Sequence, residues 1–354
     1  MSQPVRLAVA GVGNNISALC QGVEYYRKLA LAGVPEPDFP GIRVPRIGDI
    51  GVCDVEIVAG FDVHRDKVGA KLAEALMAPP NNYPQLDVDM PTTDVIVDDG
   101  LREDDDPAGP AFRHLVSRLE DSRAEVLLYS LPTGLQWAAT AYARAALKAG
   151  VAFVNCTPEI VGRDEALLAE YERAGVPLIG DDLASHLGSS VVHRSLLALL
   201  AERGLTLCSS YQLNFGGNED FRNLREVGES KRTSKLNALS QAGVDTSKVE
   251  VIPSAGFVGH LADNKVAILN IEGQGWAGTS VSLDVKLKVQ DSSNAAGVII
   301  DLIRVACAAR RAGMSGFTPA AVSSLKSPSG GHGSWTAADV HGSWSRLDGG
   351  TTVP

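Results

Sequence analysis

Short apolar runs alternate with helical patterns through the first half of this sequence. The runs have the length and composition of buried strands, and they occupy residues 5–12, 55–61, 126–131, 151–155 and 176–179. Segments with a helical period separate them, which predicts an α/β fold with a doubly wound parallel sheet. Ligands of such sheets lie beyond the carboxyl ends of the strands, where Ser130, Asn155, Thr157 and Asp182 are found.

The pattern changes after residue 190. A helix is predicted over 191–202, and the strand-like segments that follow alternate polar with apolar residues, as in VSLDVKLKV at 281–289. This alternation is typical of a half-exposed antiparallel sheet. We therefore expect a second, α+β domain over 191–299 that supplies catalytic residues and an oligomer surface.

The bounds of the first domain follow from the same pattern. It is expected to span residues 1–190 and to be completed by a segment at about 300–330, within which a helical pattern continues to residue 313. The last stretch, 331–354, is rich in glycine, serine, threonine and histidine. That composition predicts a flexible tail.

A glycine turn joins the first predicted strand to the first predicted helix. Gly11 and Gly13 end the strand, and Asn14 and Asn15 open the helix. This order is the context of the Rossmann dinucleotide-binding motif, in which the pyrophosphate meets the helix N-terminus. Ile16 stands where the third glycine of the motif is expected, so the turn also fits an α/β protein that binds no nucleotide.

The second predicted strand ends in an acidic residue, Asp62. A carboxylate at this position is placed to bind the ribose hydroxyls of NAD, and it would repel the 2′-phosphate of NADP. A helical pattern follows at once, so a helix N-cap is an equally direct interpretation of Asp62.

Composition and charge narrow the class of protein. A chain of 354 residues with 45% hydrophobic and 21% charged residues is ordinary for a globular protein, and a net charge of −10 argues against a nucleic-acid-binding surface. Five cysteines without a CxxC pair, no signal-peptide pattern and no run of about 20 apolar residues predict a reduced, cytoplasmic protein without a membrane span.

Lysines stand out within this acidic chain. Lys231 and Lys235 would lie one turn apart on the same helix face, and Lys265 follows about thirty residues later. Repulsion between like charges and partial burial lower the pKa of a lysine, which makes it usable as a proton acceptor near neutrality. A solvated basic helix face is the alternative that applies to the KxxxK spacing by itself.

Eight ordered motifs give the chain a family resemblance between residues 5 and 328. They are GVGNNISALCQGVEYY, FDVHRDKVG, GDD at 180–182, QLNFGGNEDFRNL, ESKRTSK, DNK at 263–265, DSSNAAGVIID and LKSP. Together they resemble the bacterial form of the myo-inositol-1-phosphate synthase family. The resemblance implies a homotetrameric enzyme that cyclises a hexose 6-phosphate with a tightly bound, recycled NAD: oxidation at C5, enolisation at C6, aldol closure and re-reduction.

The resemblance also implies the site residues. The family's catalytic positions correspond here to Asp182, Asn214, Asp220, Lys231, Lys235, Lys265, Asp291 and Lys326. The residues expected at the cofactor are Gly11, Gly13, Asn14, Asn15, Asp62, Ser130, Asn155, Thr157 and Asp182.

The reaction builds negative charge on oxygen at each step, which explains the number of lysines. Lys231 is expected to shuttle the proton of the C5 oxygen, and Lys265 and Lys326 to stabilise the enolate and aldol oxygens. Lys235 and Ser185 are expected to hold the phosphate.

The remaining positions have supporting roles in this interpretation. Asp182 and Asp291 orient the lysines and relay protons, and Asn214 positions a hydroxyl group. No metal site is expected from the His and Cys residues, although a loosely held cation on oxygen ligands is compatible with the family.

The chain departs from the family pattern around the substrate. Ala184 stands where a lysine is usual, His186 stands near a usual glutamine, and the tail after Pro328 is unlike the pattern. Cyclisation of fructose 6-phosphate to a five-membered cyclitol phosphate is therefore an alternative to glucose 6-phosphate. An NAD-dependent sugar-phosphate dehydrogenase or epimerase is a third interpretation of the sequence, and a non-enzymatic NAD-binding protein is a fourth.

Overall fold

A six-stranded parallel sheet forms the centre of the first half of the protein. The computed structural model describes residues 3–90, 93–227 and 245–347, together with residues 232, 235, 236 and 239. The strands up to residue 179 are β1 (Val5–Ala10), β2 (Arg46–Ile47), β3 (Ile50–Gly51), β4 (Val55–Asp62), β5 (Val97–Asp99), β6 (Val126–Tyr129), β7 (Ala152–Asn155) and β8 (Leu178–Ile179). Strands β2 and β3 form a separate hairpin, and the other six pair in parallel in the order β5-β4-β1-β6-β7-β8. This is the Rossmann order, with its switch point between β1 and β6, and it confirms the predicted fold class.

Helices cover both faces of this sheet. The helices are α1 (Asn14–Leu31), α2 (Leu72–Met77), α3 (Pro110–Asp121), α4 (Gln136–Lys148), α5 (Glu165–Ala174), α6 (Ser189–Glu202), α7 (Glu219–Val227), α8 (Asp291–Arg311) and α9 (Ala337–Leu347). One apolar core packs α1 and α8 on one face of the sheet, and a second packs α3, α4 and α5 on the other.

Helix α8 is the central core helix of the part of the protein built on the six-stranded sheet, here called the first unit; the part built on the second sheet is the second unit. It begins next to the second sheet and runs through the core that contains α1, where most of its residues are buried. Among the described residues it is the one helix long and apolar enough to cross a membrane by length and composition. Its burial inside the protein accounts for that apolar composition.

The second sheet has four long strands. They are β9 (Thr206–Gly216), β10 (Val249–Phe257), β11 (Asn264–Gln274) and β12 (Ser280–Gln290), in the order β10-β9-β11-β12. The predicted antiparallel pairing holds for β9 with β11 and for β11 with β12, but β9 and β10 are parallel. The prediction was wrong for that pair because the 32 residues between β9 and β10 (217–248) form a crossover long enough for parallel pairing.

The C-terminal segment up to residue 347 is folded, which corrects the predicted flexible tail. A 3₁₀ turn at His332–Ser334 leads to α9, and the indole of Trp335 packs on Phe317 with 5.2 Å between ring centroids. Trp335 Nε1 donates to Ser329 O at 2.7 Å. A few apolar side chains with good partners therefore outweigh the polar composition on which the prediction rested. Residues 348–354 lie outside the described part of the chain.

Replacing Trp335 by Ala is expected to lower the free energy of unfolding by about 2 kcal/mol, because the variant loses a half-buried aromatic contact. Urea denaturation followed by circular dichroism would measure the change. The matched control is Trp276→Ala, at a tryptophan that is 91% exposed and should contribute little. Equal stabilities of the Trp335→Ala variant and the unsubstituted protein would contradict the packing described for this segment.

Candidate active site

The glycine turn after β1 has the geometry of an anion site. Gly11 has φ +91°, and a Cβ there would lie 2.7 Å from Ser130 O, so the fold itself requires glycine. Gly13 is the N-cap of α1 with an extended backbone, and a Cβ there would meet no protein atom within 4 Å. A side chain at Gly13 would instead fill the space in front of the helix N-terminus, where a pyrophosphate binds in this fold. The turn therefore fits a dinucleotide.

Asp62 and Lys67 fix this turn by hydrogen bonds to the backbone of Val12. Asp62 Oδ2 accepts from Val12 N at 2.8 Å, and Asp62 Oδ1 accepts from the backbone of Val63 and His64 at 2.8 and 2.9 Å. Lys67 Nζ donates to Val12 O at 2.8 Å, and burial lowers the pKa of Lys67, partly offset by Asp62. Asp62 thus caps the turn that follows β4 and orders the glycine turn, and its contact with a ribose stays a prediction.

The other residues expected at the cofactor are tied to the protein itself. Asn15 Nδ2 donates to Ser130 Oγ at 3.1 Å, which braces the loop after β6. Asn155 is fully buried: its Nδ2 donates to Asp181 Oδ1 at 2.8 Å and its Oδ1 accepts from the hydroxyl of Thr157 at 2.7 Å. These contacts shape the loops at the carboxyl ends of β6 and β7.

One lysine–carboxylate pair lies beyond β8. Lys326 Nζ donates to Asp182 Oδ1 at 2.8 Å, and their side chains are only 12% and 4% exposed. The backbones also pair, because Leu183 and Leu325 form an antiparallel bridge and Lys326 N donates to Asp182 O at 2.7 Å. Asp182 has φ +57°, a conformation that non-glycine residues seldom adopt and that is commonest at functional sites.

A second lysine–carboxylate pair lies where β11 meets α8. Lys265 Nζ lies 3.5 Å from Asp291 Oδ1, with side chains 16% and 18% exposed, and 5.6 Å from the centre of the Phe221 ring. Asp220, beside Phe221 in α7, accepts from Thr133 Oγ1 of the first unit at 3.4 Å. The first unit therefore contacts the second at Asp220, a candidate catalytic residue.

A buried polar cluster joins Asn214 and Lys235 at the start of α6. Lys235 Nζ donates to the hydroxyls of Ser189 and Ser190 at 3.3 and 3.4 Å. Ser189 Oγ donates in turn to Asn214 Oδ1 at 3.0 Å. A lysine beside serine hydroxyls at a helix N-terminus is suited to a phosphate group. Ser185 and Lys235 were both predicted to hold the phosphate, and the structure adds the hydroxyls of Ser189 and Ser190 as groups that Lys235 contacts.

The loop that departs from the family pattern has two different faces. Ala184 is buried, and its N–H donates to Ser324 O at 2.9 Å, next to the loop that carries Lys326. His186 donates from its backbone to Asn294 O at 3.0 Å, and its ring lies against Gly297 of α8. Position 184 therefore borders the candidate site, while His186 faces the core helix.

Sequence reasoning did not single out several buried groups at this site. Ser189 and Ser190 accept from Lys235 Nζ, Asn218 Nδ2 donates to Asp291 Oδ2, and the backbone O of Asp263 accepts from Asp291 N. The quoted motifs contain Asn218 and Asp263, but their importance depends on contacts between distant segments. Lys231 lies outside the described residues. Within the described ranges, no three His, Cys, Asp or Glu side chains are grouped to hold a metal ion.

His193, a neighbour of this cluster, makes stability depend on pH. Its ring lies 2.7 Å from Ser210 Oγ and 3.3 Å from Gln212 Oε1, and burial lowers its pKa to about 4. Between pH 6.5 and 4, His193 is protonated in the unfolded chain but stays neutral in the folded protein. The free energy of unfolding therefore falls as the pH falls through this window.

From pH 7 to pH 4.5, the unsubstituted protein should lose about 2 to 3 kcal/mol more stability than His193→Gln, which cannot titrate. Urea denaturation at the two pH values would measure the difference. His341→Gln, at an exposed histidine of α9, is the control and should behave like the unsubstituted protein. An identical pH dependence for His193→Gln would contradict the lowered pKa.

The chain is similar to known proteins over most of its length. The family described as Myo-inositol-1-phosphate synthase matches residues 188–292. The inositol-3-phosphate synthase of Mycolicibacterium smegmatis is 39% identical over 92% of this chain and 93% of its own. The crystal structure of Ari2 is 68% identical, with a TM-score of 0.91 over 98% of both chains. The fold is shared by a myo-inositol-1-phosphate synthase-related protein from Thermotoga maritima, 24% identical, with a TM-score of 0.77 over 97% of both chains.

These similarities cover almost the whole chain and confirm the resemblance noted in its motifs. The protein belongs to the inositol-phosphate synthase family of cyclising isomerases.

Proposed function

We propose that the protein cyclises a hexose 6-phosphate with a recycled, tightly bound NAD, and that glucose 6-phosphate is its first candidate substrate. The observation that carries the proposal is the presence of two little-exposed lysine–carboxylate pairs, Lys326–Asp182 and Lys265–Asp291, each formed by residues of different segments. A simple dehydrogenase needs one general base, whereas a cyclase must stabilise an oxyanion at each of several steps.

The glycine turn would hold the cofactor. The backbone N–H groups at Gly13 and Asn14 and the α1 dipole suit the pyrophosphate, and Asp62 lies at the tip of β4 where the ribose binds in this fold. NAD, when bound, would supply hydride acceptance from C5 of the sugar and hydride return at the end of the reaction.

The lysines would carry the charge changes. Lys265 and Lys326 would donate hydrogen bonds to the enolate and aldol oxygens, each contributing about 10²- to 10³-fold to the rate by comparison with other oxyanion sites. Asp291 and Asp182 hold these ammonium groups in place and accept or return protons. Lys231 is proposed as the proton shuttle at the C5 oxygen, and Asn214 and Asp220 as groups that position substrate hydroxyls.

The start of α6 would bind the substrate phosphate. Lys235 supplies a buried positive charge, and Ser189 and Ser190 supply hydroxyls at the N-terminus of the helix. Ser185, on the loop leading into α6, is proposed as a further donor. These groups favour a dianion by charge and by hydrogen bonding.

A second candidate substrate is fructose 6-phosphate. The observation that favours it is Ala184, which borders the Lys326 loop and stands where the family pattern has lysine. Fructose 6-phosphate could undergo the same oxidation at C5 and enolisation at C6. The enolate would then attack the C2 ketone instead of a C1 aldehyde and close a five-membered ring.

Assembly into a homotetramer through the second sheet is also proposed. One face of this sheet packs under α6, while the opposite face has half-buried apolar side chains at Leu213, Phe215, Ile252, Val266 and Ile268. A contiguous apolar face of this kind suits a second copy of the chain. Light scattering that gave the mass of a single chain would contradict the proposal.

The experiment that tests the function is product analysis without added reductant. Purified protein is incubated with NAD and, separately, with each sugar phosphate, and phosphorus and carbon NMR identify the product. An inositol phosphate from glucose 6-phosphate, or a cyclopentane phosphate from fructose 6-phosphate, without net NADH, identifies the substrate. Stoichiometric NADH would indicate a dehydrogenase, and turnover of neither sugar phosphate would contradict both cyclase reactions.

A further inference from the structure

A buried carboxylate outside the proposed catalytic set lies between the glycine turn and the Lys265–Asp291 pair. Asp263 precedes β11, is 1% exposed, and accepts hydrogen bonds from three separate segments. Its Oδ2 accepts from Ser292 N at 3.0 Å, and its Oδ1 accepts from Ser292 Oγ at 2.6 Å and from Asn14 Nδ2 at 3.1 Å. Asp263 thus joins the start of α1 to the start of α8.

The amide of Asn14 has a defined orientation. Its Oδ1 accepts from the backbone N–H groups of Asn82 and Tyr83 at 2.8 and 3.2 Å, so its Nδ2 is directed at two acceptors, Asn82 Oδ1 at 2.7 Å and Asp263 Oδ1 at 3.1 Å. Because Asn14 follows Gly13 directly, a shift of the glycine turn changes the hydrogen bond that Asn14 Nδ2 donates to Asp263.

Asn218 continues the connection toward the catalytic pair. Its Oδ1 accepts from Phe221 N at 3.4 Å, and its Nδ2 lies 3.4 Å from Asp263 Oδ1 and 3.3 Å from Asp291 Oδ2. Asp291 Oδ1 in turn accepts from Lys265 Nζ at 3.5 Å. A continuous series of polar contacts therefore runs from the glycine turn through Asp263 and Asn218 to Lys265.

The charges in this series also constrain it. Burial raises the pKa of Asp263, hydrogen bonds from Ser292 and Asn218 oppose that rise, and the nearby Asp291 adds to it. The groups that hydrogen-bond to the Asp263 side chain, from Asn14, Asn218 and Ser292, are all donors, so a carboxylate satisfies them. An amide at this position would turn a donor toward at least one of them.

We propose that Asp263 is a positioning residue that couples occupancy of the glycine turn to the placement of Lys265 by Asp291. The proposal rests on NAD binding at that turn, as proposed above. Binding of the dinucleotide would fix the position of Asn14. Asp263 and Asn218 would then fix the position of Asp291, which orients Lys265. The two sites would then be linked in free energy, so that a change at either one alters the other.

The test compares NAD affinity, by calorimetry without sugar phosphate, with kcat. Asp263→Asn is expected to raise the NAD dissociation constant about tenfold and to lower kcat about tenfold. Asp284→Asn is the matched control, since it makes the same substitution at an exposed carboxylate of β12 outside this series. It should leave the NAD dissociation constant within about twofold of the original.

Asn218→Ala is the second variant, and it keeps the test decisive if Asp263→Asn does not fold. The side-chain hydrogen bonds of Asn218 in the described structure go to Asp263, Asp291 and Phe221 and not to α1 or the glycine turn, yet the coupling predicts at least about a threefold loss of NAD affinity. An unchanged NAD affinity in Asn218→Ala, even with a lower kcat, would overturn the coupling. No NAD binding by the unsubstituted protein would instead overturn the proposed function, and this inference with it.

Discussion

Replacing Lys265 by Met is expected to lower kcat about a thousandfold while leaving the protein folded. The substitution keeps most of the side-chain volume and removes the ammonium group that faces Asp291. A loss of this size corresponds to about 4 kcal/mol of transition-state stabilisation, the upper end for one donor to an oxyanion.

The stability of this variant should change by less than about 1 kcal/mol. Asp291 keeps the hydrogen bond from Asn218 and lies in the first turn of α8, where the helix dipole favours a carboxylate. Steady-state kinetics and a thermal melt would measure both quantities. Lys248→Met, at an exposed lysine of the same unit, is the control and should retain full activity.

Replacing the lysine of the Lys326–Asp182 pair should affect stability as well as activity. Lys326→Met should lower kcat and also lower Tm, because Asp182 is more deeply buried than Asp291 and loses a close cationic partner. If Lys265→Met kept more than a tenth of the original kcat with its product unchanged, the proposed role of Lys265 would be wrong.

The second large effect is expected on NAD binding, from substitution of Gly13 in the glycine turn after β1. Gly13→Ala is expected to weaken NAD binding about 10- to 100-fold with little change in Tm. Its backbone is extended, and the added methyl group would touch no protein atom but would stand in front of the α1 N-terminus.

Gly11→Ala is the matched comparison, because the fold itself excludes a side chain there. The positive φ and the approach to Ser130 O should cost about 2 to 4 kcal/mol of stability, in addition to any loss of affinity. Calorimetry for NAD and urea denaturation would separate the two variants. Tight NAD binding by Gly13→Ala would exclude the pyrophosphate from this position.

Local pattern predicted the first half of the fold well. The apolar runs that became β1, β4, β6 and β7 are short and bounded by glycine or polar residues, so their strand character is a local property. The switch point between β1 and β6 then follows from the ordinary rules of parallel sheets.

The arrangement of the site could not be obtained from local pattern. Asp182 and Lys326 are 144 residues apart, and only the family resemblance placed them in one set. Asn218 and Asp263 bond across three segments, so no spacing along the chain indicates their contacts. The parallel pairing of β9 with β10 depends likewise on a long crossover.

The same limit explains the error at the C-terminus. Residues 331–347 have the composition of a flexible segment, but Trp335 packs on Phe317 and Leu347 lies in the core that contains α1 and α8. Composition measures the average tendency of a segment, whereas two well-placed apolar side chains decide whether it docks.

The backbone contact between His186 and Asn294 has a consequence for the architecture of the chain. It holds together the points where the polypeptide leaves the unit built on the six-stranded sheet after β8 and returns to it through α8. The intervening residues are therefore an inserted module, attached at one place by two adjacent crossings. Asn214, Lys235 and Lys265 all belong to that module, so a small rotation at the two crossings would move them together relative to the cofactor turn.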